Sequence, residues 1–317
     1  MKRICAYILM AVASVAICSA AYAAGPLSKQ GRRVAKALMA TEPEEWQLIE
    51  SVDLKFDTYH PQGMLKVGDT FYITTVKVDR RPRYTRQGKQ VSVADEGAGK
   101  GYLMQFDAGG NLLKRIELCE GAIFHPGGMD FDGRYIWVPI TKYYPYSRSL
   151  IVRVDALTHQ VEKVCYVDDS IGAIIHDTDN NLLVGANWDA DEFLTWQLDG
   201  KLRVKDAELS AAERRRANTP GHLAIQDSKY IGDGKMVGFG LKTTQKGRIG
   251  GFDVIDTRTF EKLRSADIEL RTPRKSIVSG NPSTLEVVGD KMRLYFAPED
   301  NKTTLYIYQT QIKNKNK

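Results

Sequence analysis

Residues 124–140, FHPGGMDFDGRYIWVPI, decide the fold. A polar opening leads into Gly127-Gly128 and an apolar run, then a tight Asp132-Gly133 turn, then a β-rich run. Asp-Gly supplies positive φ at little cost, so the two runs read as a hairpin. The pattern returns as YHPQGMLKVGDTFYITTV from Tyr59 and as NPSTLEVVGDKMRLYF from Asn281. Weaker copies are IGAIIHDTDNNLLVGAN from Ile171 and QDSKYIGDGKMVGFG from Gln226.

Outward from each hairpin the chain keeps one order: a loop, an apolar strand ending in Asp, a turn, and a more polar strand. The third strands read as residues 102–107, 150–155, 193–199 and 251–256, closed by Asp107, Asp155, Asp199 and Asp256. The fourth read as 111–118, 160–167, 201–205 and 261–270. A unit of four antiparallel strands recurring every roughly 45 to 65 residues is a blade repeat with loop insertions. The last unit has second and third strands at 292–296 and 304–309 and no fourth. The alternating segment WQLIESVDLKF, residues 46–56, is a spare strand ahead of the first hairpin. Pairing first and last strands closes the ring and removes an open edge. The fold expected is an all-β, five-bladed β-propeller of four-stranded antiparallel blades, closed by an N-terminal strand. An open β-sandwich does not account for the phased units.

Two insertions interrupt the rhythm. Residues 77–101 are long and polar and carry Arg80, Arg81, Arg83, Arg86 and Lys89. Residues 206–221 contain Ser210-x-x-Glu213, a capping box that predicts a short helix.

The domain plan is a signal peptide over 1–23, a leader over 24–45, a propeller over 46–311 and a tail over 312–317. Lys2 and Arg3 precede an apolar stretch at 8–17, and Ala21-Tyr22-Ala23 is a small-x-small cleavage site, as in secretory signals. Cys18 suggests lipidation, but Ile17 is larger than the residue that normally precedes a lipidated cysteine. The leader is expected to be irregular apart from a short helix over 32–39, and the Lys/Asn tail to lie unpacked. The mature chain is expected to be periplasmic or secreted and monomeric, with no membrane span. Losing Lys2 and Arg3 takes the formal charge from +6 to +4, a mild excess that with export argues against nucleic acid. Cys119 and Cys165 remain. They occupy matching places on successive repeats, too far apart for a disulfide, and are expected to be buried free thiols.

Function is sought where innermost strands and blade-to-blade loops open on one face, since loops on a rigid scaffold carry binding residues. His60, His125, Gln226 and Asn281 stand at starts of innermost strands, His176 slightly further along, and His222 just before Gln226. Imidazoles hold transition metals, so His60, His125, His176 and His222 are weak metal candidates. Polar residues filling a wet channel is the favoured alternative. No cofactor is expected, with a divalent metal in the channel left open. The facing loops carry Tyr144, Arg148, Asp189 and Glu299. Aromatic faces stack and Arg forks onto carboxylates, which suits a small polar or carbohydrate ligand. The ligand set expected at one mouth is therefore His60, His125, His176, Tyr144, Arg148, Asp189, Gln226 and Glu299. Asp189 with Glu299 would suit glycoside cleavage, and a Tyr or His base beside an Arg would suit elimination next to a carboxylate. Residues 177–181 lack the Gly and final Glu of a calcium loop, residues 97–101 lack the Lys of a phosphate loop, and no Gly-x-Ser-x-Gly occurs.

His125-Pro-Gly-Gly-Met-Asp-Phe-Asp-Gly-Arg-Tyr-Ile-Trp-Val-Pro, Ser147-Arg148-Ser149, Ile171-Gly172 with His176, and Pro298-Glu299-Asp300 with Thr304-Leu-Tyr-Ile-Tyr resemble a family of secreted, propeller-like proteins of unassigned function. That resemblance runs across most of the mature chain and implies a fold without an activity. More distantly the plan is similar to propellers that act as sugar lyases, glycosidases, lactonases or adhesion modules, a likeness of fold alone. Two functions are expected to compete: a propeller that binds a ligand at the channel mouth, with processing of that ligand left open, and a non-catalytic protein-interaction scaffold using the same face.

Overall fold

The computed structural model describes residues 24–245 and 247–313, so residues 1–23, read as a signal peptide, and residues 314–317 lie outside the described residues. Five antiparallel sheets form a ring. From the innermost strand outward, blade 1 is His60–Val67, Thr70–Arg80, Ala98–Asp107 and Leu112–Glu117. In blade 2 the innermost strand is split into His125–Pro126 and Asp130–Phe131, both paired with Tyr135–Thr141, followed by Ser149–Asp155 and Val161–Val167. Blade 3 is Ile171–Asp177, Leu182–Asn187, Glu192–Gln197 and Arg215–Ala217. Blade 4 is Ala224–Tyr230, Lys235–Thr244, Gly247–Asp256 and Lys262–Ile268. Blade 5 takes Ser283–Val288, Lys291–Phe296 and Thr304–Gln311 from the C-terminal end and Gln47–Asp53 from the N-terminal end. The closure is antiparallel, with Val52 opposite Leu305 and Leu48 opposite Tyr308. The all-β five-bladed propeller read from the sequence is the observed fold.

Side chains on a strand alternate between faces, and here both faces of the inner strands are apolar because each blade packs against two neighbours. Met64 points into the core shared with blade 5, beside Tyr295 and Leu305. Leu65, the next residue, points into the core shared with blade 2, beside Ile136 and Val138. Trp137 turns the other way, into the core shared with blade 3, beside Ile171 and Leu183.

Three local expectations are corrected. The leader is not irregular: helix α1 (Ala24–Leu38) is followed by a short 3-10 turn, Pro43–Glu45. Val34, Ala35 and Leu38 recur at helical spacing and bury against the core between blades 4 and 5. The outermost strand of blade 3 is Arg215–Ala217, not 201–205, because Arg215 is drawn in by Asp169 at 2.7 Å and Glu192 at 2.6 Å. The insertion at 77–101 is no loop. It prolongs the second and third strands of blade 1 and adds a hairpin, Arg83–Gln87 with Gln90–Asp95. That hairpin reaches over blade 2 through Arg86 Nη2, which donates to the Tyr146 hydroxyl at 3.1 Å, and over blade 3 through Arg86–Asp189 at 3.3 Å and Lys89–Glu192 at 2.9 Å.

Smaller points concern the capping box, the tail and the cysteines. The Ser210–Glu213 box forms as read and starts helix α2 (Ala211–Arg214). At the far end Ile312 packs on the core and Lys313 pairs with Glu45 at 2.6 Å, so the tail is engaged at its start. Cys119 and Cys165 are unbridged and half-buried, and burial pushes the Cys165 thiol up to about 12. No helix among the described residues is long and apolar enough to cross a membrane.

Candidate functional site

The ring has no open bore at its waist. A Cβ on Gly127 would collide with the Gly172 carbonyl oxygen, and one on Gly128 would meet the Asp227 Cα at 2.7 Å. Glycine is required at both because two backbones meet where a side chain would stand. Gly128 N–H donates to the Gly172 carbonyl at 2.8 Å, stitching blade 2 to blade 3. The Asp227 carboxylate lies across the axis and accepts from the N–H groups of Met64 at 2.9 Å, Met129 at 3.1 Å and Ser283 at 3.1 Å. Lys229 Nζ lies 2.5 Å from its Oδ1. Burial raises the Asp227 carboxyl, with the Lys229 ammonium and the amides working against that. Two mouths result, one on either side of this closure.

The upper mouth, where the inner strands begin, holds a nest of rings. His125 stacks on Tyr143 with centroids 4.4 Å apart, and lies 5.6 Å from Trp188 and 6.2 Å from His60. His60 Nδ1 bonds Asp300 Oδ1 at 2.8 Å. Beside that pair is a cavity of about 260 Å³ lined by His60, Asn281, Pro298 and Asp300. His125 is buried, and both its ring nitrogens lack a partner, as does the Asn281 Oδ1. Burial, with His60 adding to it, lowers His125 to about 3, so its ring is neutral. Burial raises the Tyr143 hydroxyl, against the pull of Arg81 from the insertion.

Only part of the expected set meets here. His60 and His125 do, while Gln226 stands below them on its strand, its Nε2 donating to the Ala224 carbonyl at 3.2 Å. His176 does not. It lies five residues beyond Ile171, about 16 Å down an extended strand, and opens on the lower mouth. Tyr144 is buried with its hydroxyl on Glu96 at 3.1 Å. Arg148 lies outward over the Tyr166 ring at 4.6 Å, with Asp168 at 3.8 Å. Asp189 is tied to Arg86, and Glu299 is buried among Thr303 at 3.0 Å and Tyr306 at 3.1 Å. Asp189 and Glu299 therefore do not flank a common bond. His222 bonds the Thr219 carbonyl at 3.1 Å and faces Asp191 at 3.4 Å. The four histidines do not converge, and no group of three or more His, Cys, Asp or Glu among the described residues is placed to hold a metal.

Sequence reasoning missed Tyr143, Trp188 and Asp300. Each is the immediate neighbour of a residue it chose, in Tyr143-Tyr144, Trp188-Asp189 and Glu299-Asp300.

The lower mouth contains Asp130, whose Oδ2 accepts from the N–H groups of His176 and Tyr230, both at 3.2 Å. Burial raises Asp130 to about 7. The two buried groups set opposed pH dependences. Buried neutral His125 loses stability as pH falls from 6.5 toward about 3, because only the unfolded chain takes the proton. Buried protonated Asp130 loses stability as pH rises from 3.8 through about 7, because only the unfolded chain releases it. Between those limits the two slopes cancel. His125→Phe removes one of them, so its stability relative to the parent should fall by about 1.4 kcal/mol for each pH unit raised from about 4.5 to about 6. Urea unfolding at both pH values measures this, and a pH-independent difference would show that His125 titrates normally.

In overall shape the chain is similar to hydrazine synthase of Kuenenia stuttgartiensis, 12% identical over 78% of this chain and 58% of that one, with a TM-score of 0.37. The chain thus spans less than two thirds of that relative. It is also similar to the β-propeller domain of the Trilobed protease from Pyrococcus furiosus, 15% identical over 81% of this chain and 72% of that one, with a TM-score of 0.32. No curated protein matches it. A profile described as a family of unknown function matches residues 17–314, repeats and upper-mouth residues included, and the chain accordingly belongs to the DUF6454 family.

Proposed function

We propose that this is an exported propeller that binds a small polar or carbohydrate ligand at the upper mouth. The observation that carries the reading is His125, buried beneath Tyr143 and Trp188 with both ring nitrogens unpartnered. A buried polar atom without a partner is costly, and a site that tolerates two of them is arranged for something that supplies the bonds. The rings offer stacking faces, while His125, Asn281 and the His60–Asp300 pair offer hydrogen bonds at the rim. Arg81 beside Tyr143 suits a carboxylate-bearing sugar. Tyr143 keeps its proton at neutral pH and His125, lowered to about 3, is a weak base, so these groups support binding rather than proton abstraction. Export rests on the basic, apolar and small-residue pattern of residues 1–23.

The test is a thermal-shift screen against neutral sugars, uronates, lactones and divalent metals, with turnover of the uronates read in the same wells. It uses chain recovered from the exported fraction, whose first residue is expected to be Ala24. A ligand at a hundred times its Kd should stabilise by about 2.7 kcal/mol. His125→Phe keeps a ring in the stack and should abolish that shift while leaving the free protein near its parent stability at neutral pH, above the range in which His125 titration separates the two. A shift unchanged in His125→Phe places the ligand elsewhere.

A second reading, a protein-interaction scaffold on the same face, is favoured by the hairpin over blades 2 and 3. Its strands are largely exposed, with Tyr84 39% and Val93 36% accessible. Under that reading no compound shifts the melting.

A further inference from the structure

The lower mouth opens into a cavity of about 390 Å³ lined by all five blades, with α1 at its rim. Its inner wall carries a pair that the upper mouth does not use. His176 is 3% exposed, and its Nδ1 lies 3.0 Å from the Asp132 Oδ2. Asp132 also accepts from Trp137 Nε1 at 2.7 Å and from the Tyr135 and Arg134 N–H groups; burial works to raise its carboxyl, but the His176 bond together with these donors holds it below the usual range. With Asp132 as acceptor, the Nδ1 of His176 carries the proton and the Nε2 presents a lone pair. That Nε2 has no partner. It is a second orphan, separated from His125 by the closed waist.

The charges around it are already matched. Lys66 meets Glu286 at 3.1 Å, and Lys229 meets Asp227 at 2.5 Å. Asp132 keeps its charge but has its oxygens occupied by four donors, and Asp130 bonds two amides. No cation is left for an anionic ligand, and no bare carboxylate for a cationic one. What remains is the Nε2 acceptor, the unused protons of Lys66, and an apolar wall from Val34, Val67, Phe131 and Leu285. A pocket of this size and mixed lining is of the kind that takes small molecules.

We propose that the lower cavity is a second ligand site, which takes a small neutral alcohol with an apolar body and receives its hydroxyl proton in a hydrogen bond at His176 Nε2. Asp132 is a positioning residue that fixes the tautomer. The class differs from that of the upper mouth, where ring faces and rim acceptors suit a more polar molecule.

Cyclohexanol is the probe, and the readout is the imidazole nitrogen spectrum of the full chain labelled at histidine. His176 should show a protonated Nδ1 and an unprotonated Nε2. Millimolar cyclohexanol should move the Nε2 resonance upfield, as accepting a hydrogen bond does, and leave His125 unmoved. His176→Gln assigns the signal but removes a buried partner of Asp132, so the deciding variant is Val67→Phe at the cavity wall. It should leave the His176 tautomer intact and abolish the shift. An unmoved Nε2 in the parent, or a shift that persists in Val67→Phe, overturns the proposal. Because His125 is read separately, failure here leaves the upper-mouth reading standing, and the converse also holds.

Discussion

Asp227→Ala should cost about 4 kcal/mol, enough to leave the protein unfolded at moderate temperature, because removing one partner strands a buried charge. Asp227 is 1% exposed and sits where the inner strands of blades 1, 2, 4 and 5 approach the axis. Each strand brings an N–H there that no sheet neighbour can satisfy, since the next blade's strand diverges from it. One carboxylate collects these donors, and Lys229 supplies the countercharge while its other protons go to the Met129 carbonyl at 2.8 Å and the Ser228 carbonyl at 3.0 Å. Alanine removes the acceptor of all these bonds and leaves Lys229, 6% exposed, unpaired. The double variant Asp227→Ala/Lys229→Met should recover part of the loss, because the stranded charge goes even though the orphaned amides stay. Urea unfolding of both variants is the measurement. A loss under about 1 kcal/mol in the single variant, the range of an ordinary substitution, would mean that the strands do not depend on this hub.

The sequence revealed the ring but not which of the expected residues meet at one mouth, for physical reasons that differ by residue. Blades are legible because hairpin turns and two-sided apolar strands leave a period, and the closing strand is legible because the last blade lacks one. Loops have no period. In Tyr143-Tyr144 the sequence shows that two aromatics lie at the mouth, but only the turn decides that Tyr143 stacks on His125 while Tyr144 buries against Glu96. Trp188 beside Asp189 and Asp300 beside Glu299 repeat the case: the loop reaches the upper mouth, and the neighbouring residue is the one that meets His125 or His60 there. His176 differs in another way. Its strand was correctly found, but five residues of extended chain carry it through the waist to the other mouth. The lower cavity was hidden because Asp132 reads as a turn residue. Its bond to His176 appears only when blades 2 and 3 pack. The same limit applies to Arg215, whose partners Asp169 and Glu192 lie 46 and 23 residues away in the chain.

Deleting residues 24–56 should collapse the far end of the chain rather than trim a loose leader. The strand Gln47–Asp53 is the outermost of blade 5 and pairs along Thr304–Gln309. Without it, the strand Thr304–Gln311 becomes an edge with unpaired N–H and C=O groups, a template for aggregation. The deletion also removes packing. Trp46 is 4% exposed, lies between Phe252 of blade 4 at 6.0 Å and Phe296 of blade 5 at 6.3 Å, and donates from Nε1 to Thr41 at 2.8 Å. Losing a buried tryptophan alone costs about 3 to 5 kcal/mol. Val34, Ala35, Ala37 and Leu38 leave the same core, and Leu54 leaves the core between blades 5 and 1. These losses together exceed the stability of an ordinary domain, so the truncated chain should melt far below the parent or not fold. Hydrogen exchange locates the damage. Amides of residues 305–308 should lose protection first, because their strand loses its partner, while those of blades 2 and 3, on the other side of the ring, should be the last to open. Unchanged melting together with unchanged protection at residues 305–308 would defeat the closed ring. Uniform loss in every blade would mean instead that the ring opens as one cooperative unit, with the N-terminal strand as the latch on which all five blades depend.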